Sequence, residues 1–398
     1  MSLIDNILTM KNFKTFWILL PIVSFLALGC GDKEEQSTKV PEEQPELVKG
    51  VPVRVGPADL NSTFSYYNTS PESPDGTMIS YVKILTEQNE RYDSMDGELW
   101  VCDADLTNHR MLTELNNFIT HNGVNAQWID NNTIVYYTND EIRAVNLEGQ
   151  QVTGPIEAFS IGHKPHNNKI LYSAVSDETN YHTIYEYDIF TNEKREIADA
   201  STFSGISNFF PIINPYELSE RKIRHLIYSP DGSKIALRYD VNDEGESGNH
   251  LVTMDMNGGD IKFFGPKPMH FSWYDNSSLM GHDNQINDGN ANDKSARRWS
   301  REKEYIETLA GPGNHLSSSD DRLLIATESW YNSDPVILRV FNKGEITPFW
   351  EDSVSVDDFT VWGLGNHVNP SFSRDGKRVY YHKSVAPGKS QAYMVLLP

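Results

Sequence analysis

Cysteine is almost absent from this sequence: Cys30 and Cys102 are the only two. Neither a zinc–cysteine cluster nor a cysteine-based redox motif can be built from that pair. Cationic residues are also few. Lys and Arg number 34 against 56 Asp and Glu, a formal net charge of −22. That balance excludes nucleic acid as a partner, because phosphate contacts dominate such binding. It opposes a polyanionic ligand too, unless arginine or a metal reverses the charge locally. Sustained helical periodicity is missing as well, with SARRWSREKEYIETLAG, from Ser295, as the main exception.

The 398 residues are 38% hydrophobic and 11% aromatic, ample for a large core, and a repeat-built all-β unit can reach this length as one domain. The N-terminal region stands apart. MKNFKTFWILLPIVSFLALGC, from Met10, has two lysines, an apolar run too short for a comfortable membrane span, then small residues and Cys30. This pattern is that of a secretory signal ending in a lipobox, with Cys30 cleaved, lipidated and made the mature N-terminus. We therefore expect residues 1–29 to be a signal peptide and residues 30–50, rich in Glu and Pro, a disordered tether. Residues 51–398 form the folded domain. The expected location is the outer membrane or cell surface, reached through the lipid anchor. Cys102, in ELWVCDAD, reads as a small buried apolar residue on a strand.

Past residue 50, short runs of Val, Ile, Tyr, Phe and Thr alternate with Asp, Asn, Gly and Pro. Many short strands between regular turns imply a sandwich, barrel or propeller, and the period decides. Seven frames align on a turn and the apolar residue after it: SPESPDGTMISY from Ser70, NAQWIDNNTIVYY from Asn125, HKPHNNKILYS from His163, HLIYSPDGSKIAL from His225, HFSWYDNSSLMGH from His270, HLSSSDDRLLIAT from His315 and HVNPSFSRDGKRVYY from His367. Second strand pairs follow several of them, as in GELWVCDAD and HLVTMDMNGGD. Four strands per unit at ~40–50 residues is the spacing of a propeller blade. The fold expected is all-β, one seven-bladed β-propeller. The last frame ends inside its third strand, QAYMVLLP, so VPVRV, at residues 51–55, is expected to supply the missing outer strand and close the ring.

The innermost strand of a blade runs along the channel, so residues at one offset from the turn share one rim. Counting back ten residues from Ile235, Met280 and Ile325 reaches His225, His270 and His315, and the same count from Val379 reaches Asn369. His367, two residues earlier, shares that strand face. A single histidine is usually a satisfied structural residue. A set converging on one opening suits metal binding and proton transfer near neutral pH. His121, before the second frame, could reach the same rim. His163 sits deeper in a degenerate frame, His166 falls on a turn, and His182, His250, His282 and His382 lie elsewhere on the blades.

The Ser-Pro-Asp-Gly phrases alone are those of a TolB-type propeller. With the histidine-headed frames ending in NHVNPSFSRDGKRVYY, the chain from His225 to Pro398 resembles oligogalacturonate lyases and propeller-type ulvan lyases. The resemblance implies a seven-bladed propeller that cleaves uronic-acid glycans by β-elimination, with manganese held by histidines at the channel mouth. It implies His315 and His367 as metal ligands, with Asn369 where the family has a second histidine and Leu364 where it has a glutamine. It implies His270 as the base. Arg238, on the strand after the fourth turn, is a candidate partner for the substrate carboxylate, and His225 and His121 are candidate substrate contacts. Arg298 and Trp299, in a segment with Arg297 and Arg301, could hold carboxylates and stack on a sugar if that segment folds over the rim. The expected partner is an acidic glycan, the expected state a monomer. The alternative is a non-catalytic glycan- or protein-binding propeller, since propellers host many functions. A hydrolase of the propeller-plus-peptidase kind is not expected, since this sequence shows no G-x-S-x-G elbow.

Overall fold

The computed structural model describes residues 46–398, apart from 68, 87–93, 119–123, 205–217, 242–247, 266–267, 283–294, 330–334, 355–366 and 387–388. The described residues form twenty-eight strands in seven antiparallel sheets of four. The sheets make a seven-bladed β-propeller.

The ring closes where the sequence places the closure. Strand β1 (Pro52–Arg54) is the outer strand of the last blade and pairs with β28 (Lys389–Leu396), with Val53 opposite Met394. Residues just before β1 already belong to the domain: the Gly50 amide donates to Leu396 O at 2.7 Å, and Trp350 Nε1 donates to Gly50 O at 3.1 Å. The folded domain thus begins slightly ahead of residue 51. Cys30, with the expected signal and most of the tether, lies outside the described residues. Among the described residues, no helix is long and apolar enough to cross a membrane.

The innermost strands of the seven blades are β2 (Asn61–Thr63), β6 (Gln127–Trp128), β10 (Ser160–Ile161), β14 (Lys222–Tyr228), β18 (Met269–Asp275), β22 (Leu316–Ser318) and β26 (Ser371–Phe372). Each runs antiparallel to a second strand whose residues are largely buried, because both faces of a blade pack on neighbours. The core therefore lies between blades. Leu171 and Ile184 of the third blade meet Leu226, Ile235 and Val252 of the fourth. Val55, Phe64 and Ile79 meet Tyr380 and Met394 at the closure, where Cys102 is fully buried as expected.

The Ser-x-Asp-Gly phrase works as a locked turn. In the fourth blade Ser229 Oγ donates to Asp231 Oδ1 at 2.7 Å, the Ser233 amide donates to the same oxygen at 3.0 Å, and the Lys234 amide donates to Ser229 Oγ at 2.9 Å. Gly232 sits at φ 70°, a conformation that glycine takes without steric cost. The first and last blades repeat these contacts through Asp75 and Asp375.

SARRWSREKEYIETLAG is not a helix. It forms β20 (Ser295–Ser300) and β21 (Tyr305–Pro312), joined by a turn in which the Ser300 amide donates to Glu304 O at 2.9 Å. Ala296, Leu309 and Ala310 are buried against Ile325 and Phe341 of the next blade. Arg298 and Glu307 are cross-strand neighbours rather than partners along a helix face.

Candidate functional site

At four blades the residue four positions ahead of the turn has a left-handed backbone: Asn125 at φ 48°, His225 at 52°, His270 at 47° and Asn369 at 47°. Strand pairing slips at two of them, between Arg224 and Ile227 and between Met269 and Ser272. This is a bulge in the innermost strand, and it re-aims one side chain away from the regular alternation. Histidine and asparagine are among the few non-glycine residues enriched in that conformation. At these four positions the choice of histidine or asparagine thus meets a backbone requirement as well as a chemical one.

Two of the re-aimed side chains, His225 and His270, meet His163, His315 and His367 in the channel. His270 and His315 lie with ring centroids 4.2 Å apart, and His315 and His367 at 4.5 Å. His163 Nε2 is 3.5 Å from His225 Nδ1. Two tyrosines of the first blade reach across to these rings. Tyr66 packs on His163, His225 and His315, and Tyr67 stacks on His315 at 4.9 Å. One chain segment touching the third, fourth, fifth and sixth blades must lie near the ring's axis.

Glu328 organises the cluster. It is 1% exposed and sits on β23 (Leu324–Glu328), beside His315 by the pairing of Leu316 with Thr327. His315 Nδ1 lies 2.7 Å from Glu328 Oε1, with His367 Nδ1 at 3.5 Å, and Asn314 Nδ2 donates to the same oxygen. The Val368 and Asn369 amides donate to Oε2 at 2.6 and 3.0 Å. Burial disfavours the carboxylate, but His315 and His367 outweigh it and hold Glu328 well below the usual carboxylate range. Burial, partly opposed by Glu328, keeps His315 below its ordinary value. Neutral His315 therefore donates Nδ1–H to Glu328 and turns its Nε2 lone pair the other way, toward the Tyr66 hydroxyl 3.4 Å off.

His270 is held neutral too. Burial lowers its pKa well below the ordinary histidine value, and His315, His282 and Arg238 lower it further. Its Nδ1 lies 2.9 Å from His282 Nε2. His282 and His382 are therefore part of the site's framework, contrary to the sequence reading. His382 Nε2 accepts from the Phe64 amide at 2.8 Å, so its Nδ1 carries the proton and donates to His367 O at 3.1 Å.

Arg238, on β15 (Lys234–Val241), lies near enough to His270 and His315 to disfavour their protonation, and its Nε is buried without a hydrogen-bond partner among the described residues. Arg298 and Trp299 do not reach the histidines, which corrects the rim reading of their segment. They lie on the third strand of the fifth blade, where Arg298 bonds Ser278, Glu307 and the turn residue Asp275 at the far end of the blade. Trp299 packs edge-on against Tyr305. Arg301 is tied to Asp260 and Thr253. His121 and Leu364 lie outside the described residues. Glu328, Tyr66 and Tyr67 were not singled out in the sequence.

His315, Glu328 and His367 each offer a ligand atom, all within 4.8 Å of one another. Asn369 Oδ1 beside them is buried and has no hydrogen-bond partner among the described residues. Two imidazoles, an orphaned amide oxygen and a compensating carboxylate fit a divalent cation. Glu328 is engaged by both imidazoles, Asn314 and two backbone amides already, so it suits the role of the carboxylate that orients ligating imidazoles from behind.

Fold and cluster together define a seven-bladed propeller with an imidazole–carboxylate site in its channel. Among solved structures the chain is similar to an oligogalacturonate lyase from Vibrio parahaemolyticus, with TM-score 0.61 and 14% identity over 87% of this chain and 93% of that one. It is similar to an oligogalacturonate lyase in complex with manganese, with TM-score 0.60, 16% identity and the same coverage. A prolyl endopeptidase structure also matches, with TM-score 0.53 and 14% identity, over 85% of this chain but 49% of that one. At these identities the likeness establishes the fold. No protein-family model matches the chain, and no curated protein matches it in sequence.

Proposed function

We propose that this propeller is a lyase that cleaves a uronic-acid glycan by β-elimination in its histidine-lined channel. The observation that carries the reading is His270: a neutral imidazole, tied through Nδ1 to His282, set beside Arg238 and the His315–Glu328–His367 group. Elimination begins with removal of the proton at C5 of the uronate, next to a carboxylate that resists further negative charge. His270 Nε2 takes that proton. Arg238 neutralises the carboxylate as charge develops. The electron pair forms the C4–C5 double bond, the C4–O bond breaks, and the departing oxygen takes a proton from the medium. His315, His367 and Asn369 would hold a divalent ion, with Glu328 behind them. Manganese suits the mixed set and is the ion in the similar lyase structure. Bound there, the ion would add positive charge at the uronate carboxylate.

The lipobox-like segment ending at Cys30 supports a membrane-anchored, exported form of this enzyme. Labelling with radioactive palmitate that disappears in Cys30→Ala would bear this out, and an unlabelled chain would refute it.

The decisive assay is ultraviolet absorbance of the conjugated product, measured with the purified protein against a panel of uronate polymers and oligomers, with manganese or with chelator. Metal-dependent growth on one substrate is expected. A folded protein silent on the whole panel would instead favour a non-catalytic glycan-binding propeller.

A further inference from the structure

We propose that the opposite mouth of the channel, at the end where the blades' first turns lie, is a second ligand site that binds a small dicarboxylate. A cavity of about 540 Å³ opens there, lined by residues from all seven blades. Three of its walls carry cations: Lys164 after β10, and Arg322 and Arg374 in the turns of the sixth and seventh blades. A single carboxylate, Asp320, faces them, so two positive charges stand in excess. In a chain of net charge −22, that local reversal is the condition for holding an anion.

Among the described residues, none of the three cations has a carboxylate oxygen within ion-pair distance. Arg322 donates to the Ser318 hydroxyl and to Ser319 O. Arg374 donates to Glu72 O at 3.2 Å, while the Glu72 carboxylate is engaged by the Arg374 amide, Arg378 and Tyr380. Lys164 makes no hydrogen bond among the described residues. Burial, with Arg322 and Arg374 nearby, pushes it down to about 8. Cations gathered at one opening without carboxylate partners leave positive potential unbalanced, and an anion relieves it.

The placement of the charges selects the ligand. Lys164 belongs to the third blade and the arginines to the sixth and seventh, so by blade order the lysine stands across the ring from the arginine pair. A molecule with two separated carboxylates satisfies both sides, and an arginine pair holds a carboxylate well. The site is distinct from the histidine cluster. His270, His315 and His367 do not line this cavity, and Tyr66 and Tyr67 cross the channel over the histidine rings.

Calorimetry on the full chain at low salt and pH 7, with succinate, acetate and inorganic phosphate as probes, tests the assignment. Succinate is expected to bind at one site, at least ~10-fold tighter than acetate or phosphate. Lys164→Gln and Arg322→Gln should each weaken it ~10-fold or more. Lys164→Gln should keep the parent melting temperature, since that ammonium has no protein partner to lose. Affinity should fall above pH 8 as Lys164 deprotonates; the other groups around it are Asp320, Arg322 and Arg374 across the cavity and His163 and His166 on its own segment. Equal affinity for acetate and succinate, tighter binding of phosphate, or succinate binding untouched by both substitutions would overturn the proposal. No glycan enters this test, so it succeeds or fails independently of the lyase reading.

Discussion

His270 Nδ1 lies 2.9 Å from Nε2 of His282, on the neighbouring strand of the same blade. That contact uses one nitrogen of His270 and leaves the other to face the channel. His270→Asn is the informative substitution, because asparagine accepts the left-handed backbone at φ 47° but cannot serve as a base. Turnover should drop by ~10²–10⁴-fold, with circular dichroism and melting temperature nearly unchanged. Full activity in this variant would remove His270 from the mechanism.

Glu328 holds His315, Asn314 and two backbone amides from a fully buried position. Glu328→Gln replaces a carboxylate oxygen with an amide group that repels at least one of those donors. A loss of ~1–3 kcal/mol is expected, the cost of leaving a buried donor unsatisfied, together with a ~10–100-fold weaker affinity for manganese. Denaturant melts and metal titration monitored by calorimetry measure the two separately. Unchanged metal affinity would limit Glu328 to a structural role.

Stability should fall on mild acidification. His163 and His382 are lowered to about 4, chiefly by burial, against 6.5 for an ordinary histidine. Below pH 6.5 the unfolded chain takes up these protons and the folded chain does not, so acid favours unfolding. The loss accumulates from about pH 6.5 to 4, at up to ~1.4 kcal/mol per pH unit for each such group, and levels off once the folded histidines protonate. Urea midpoints across that range provide the check; a flat profile between pH 7 and 5 would show that these imidazoles are not held neutral.

Removing β1 should loosen the ring. A chain that starts at residue 57 loses the pairing with β28 and withdraws Val53 and Val55 from the cluster around Tyr380 and Met394. At ~1.5–3 kcal/mol for one fully buried aliphatic side chain, the cost is at least ~2 kcal/mol. Limited proteolysis should then cut first in the seventh blade; a resistance equal to that of the longer chain would mean the closure adds little.

The ring and its closure were legible because a turn followed by an apolar strand recurs seven times, evenly from His225 to His315, and because the last frame, ending at QAYMVLLP, is visibly one strand short. His225, His270, His315 and Asn369 were legible for the same reason, as positions counted from the turn. Glu328 was not. It ends the apolar strand LLIATE, and only the pairing of Leu316 with Thr327 sets it beside His315. A carboxylate closing an otherwise buried run was the one available signal. Tyr66 and Tyr67 precede the first turn by an irregular stretch, so no register points to them. Arg298 and Trp299 were misplaced because a short charged segment gives the same composition for a loop over the rim and for a third strand. The strand wins because Ala296, Leu309 and Ala310 need an apolar neighbour.

The bulge that aims the site has a consequence for how such a site can change. At His225, His270 and Asn369 the backbone admits histidine, asparagine, aspartate or glycine cheaply and penalises nearly everything else. Exchanges between histidine and asparagine there keep the backbone conformation, although they decide whether a position can ligate a metal or carry a proton. A single substitution at such a position, Asn369 included, can therefore change the chemistry offered to the channel while the backbone keeps its conformation.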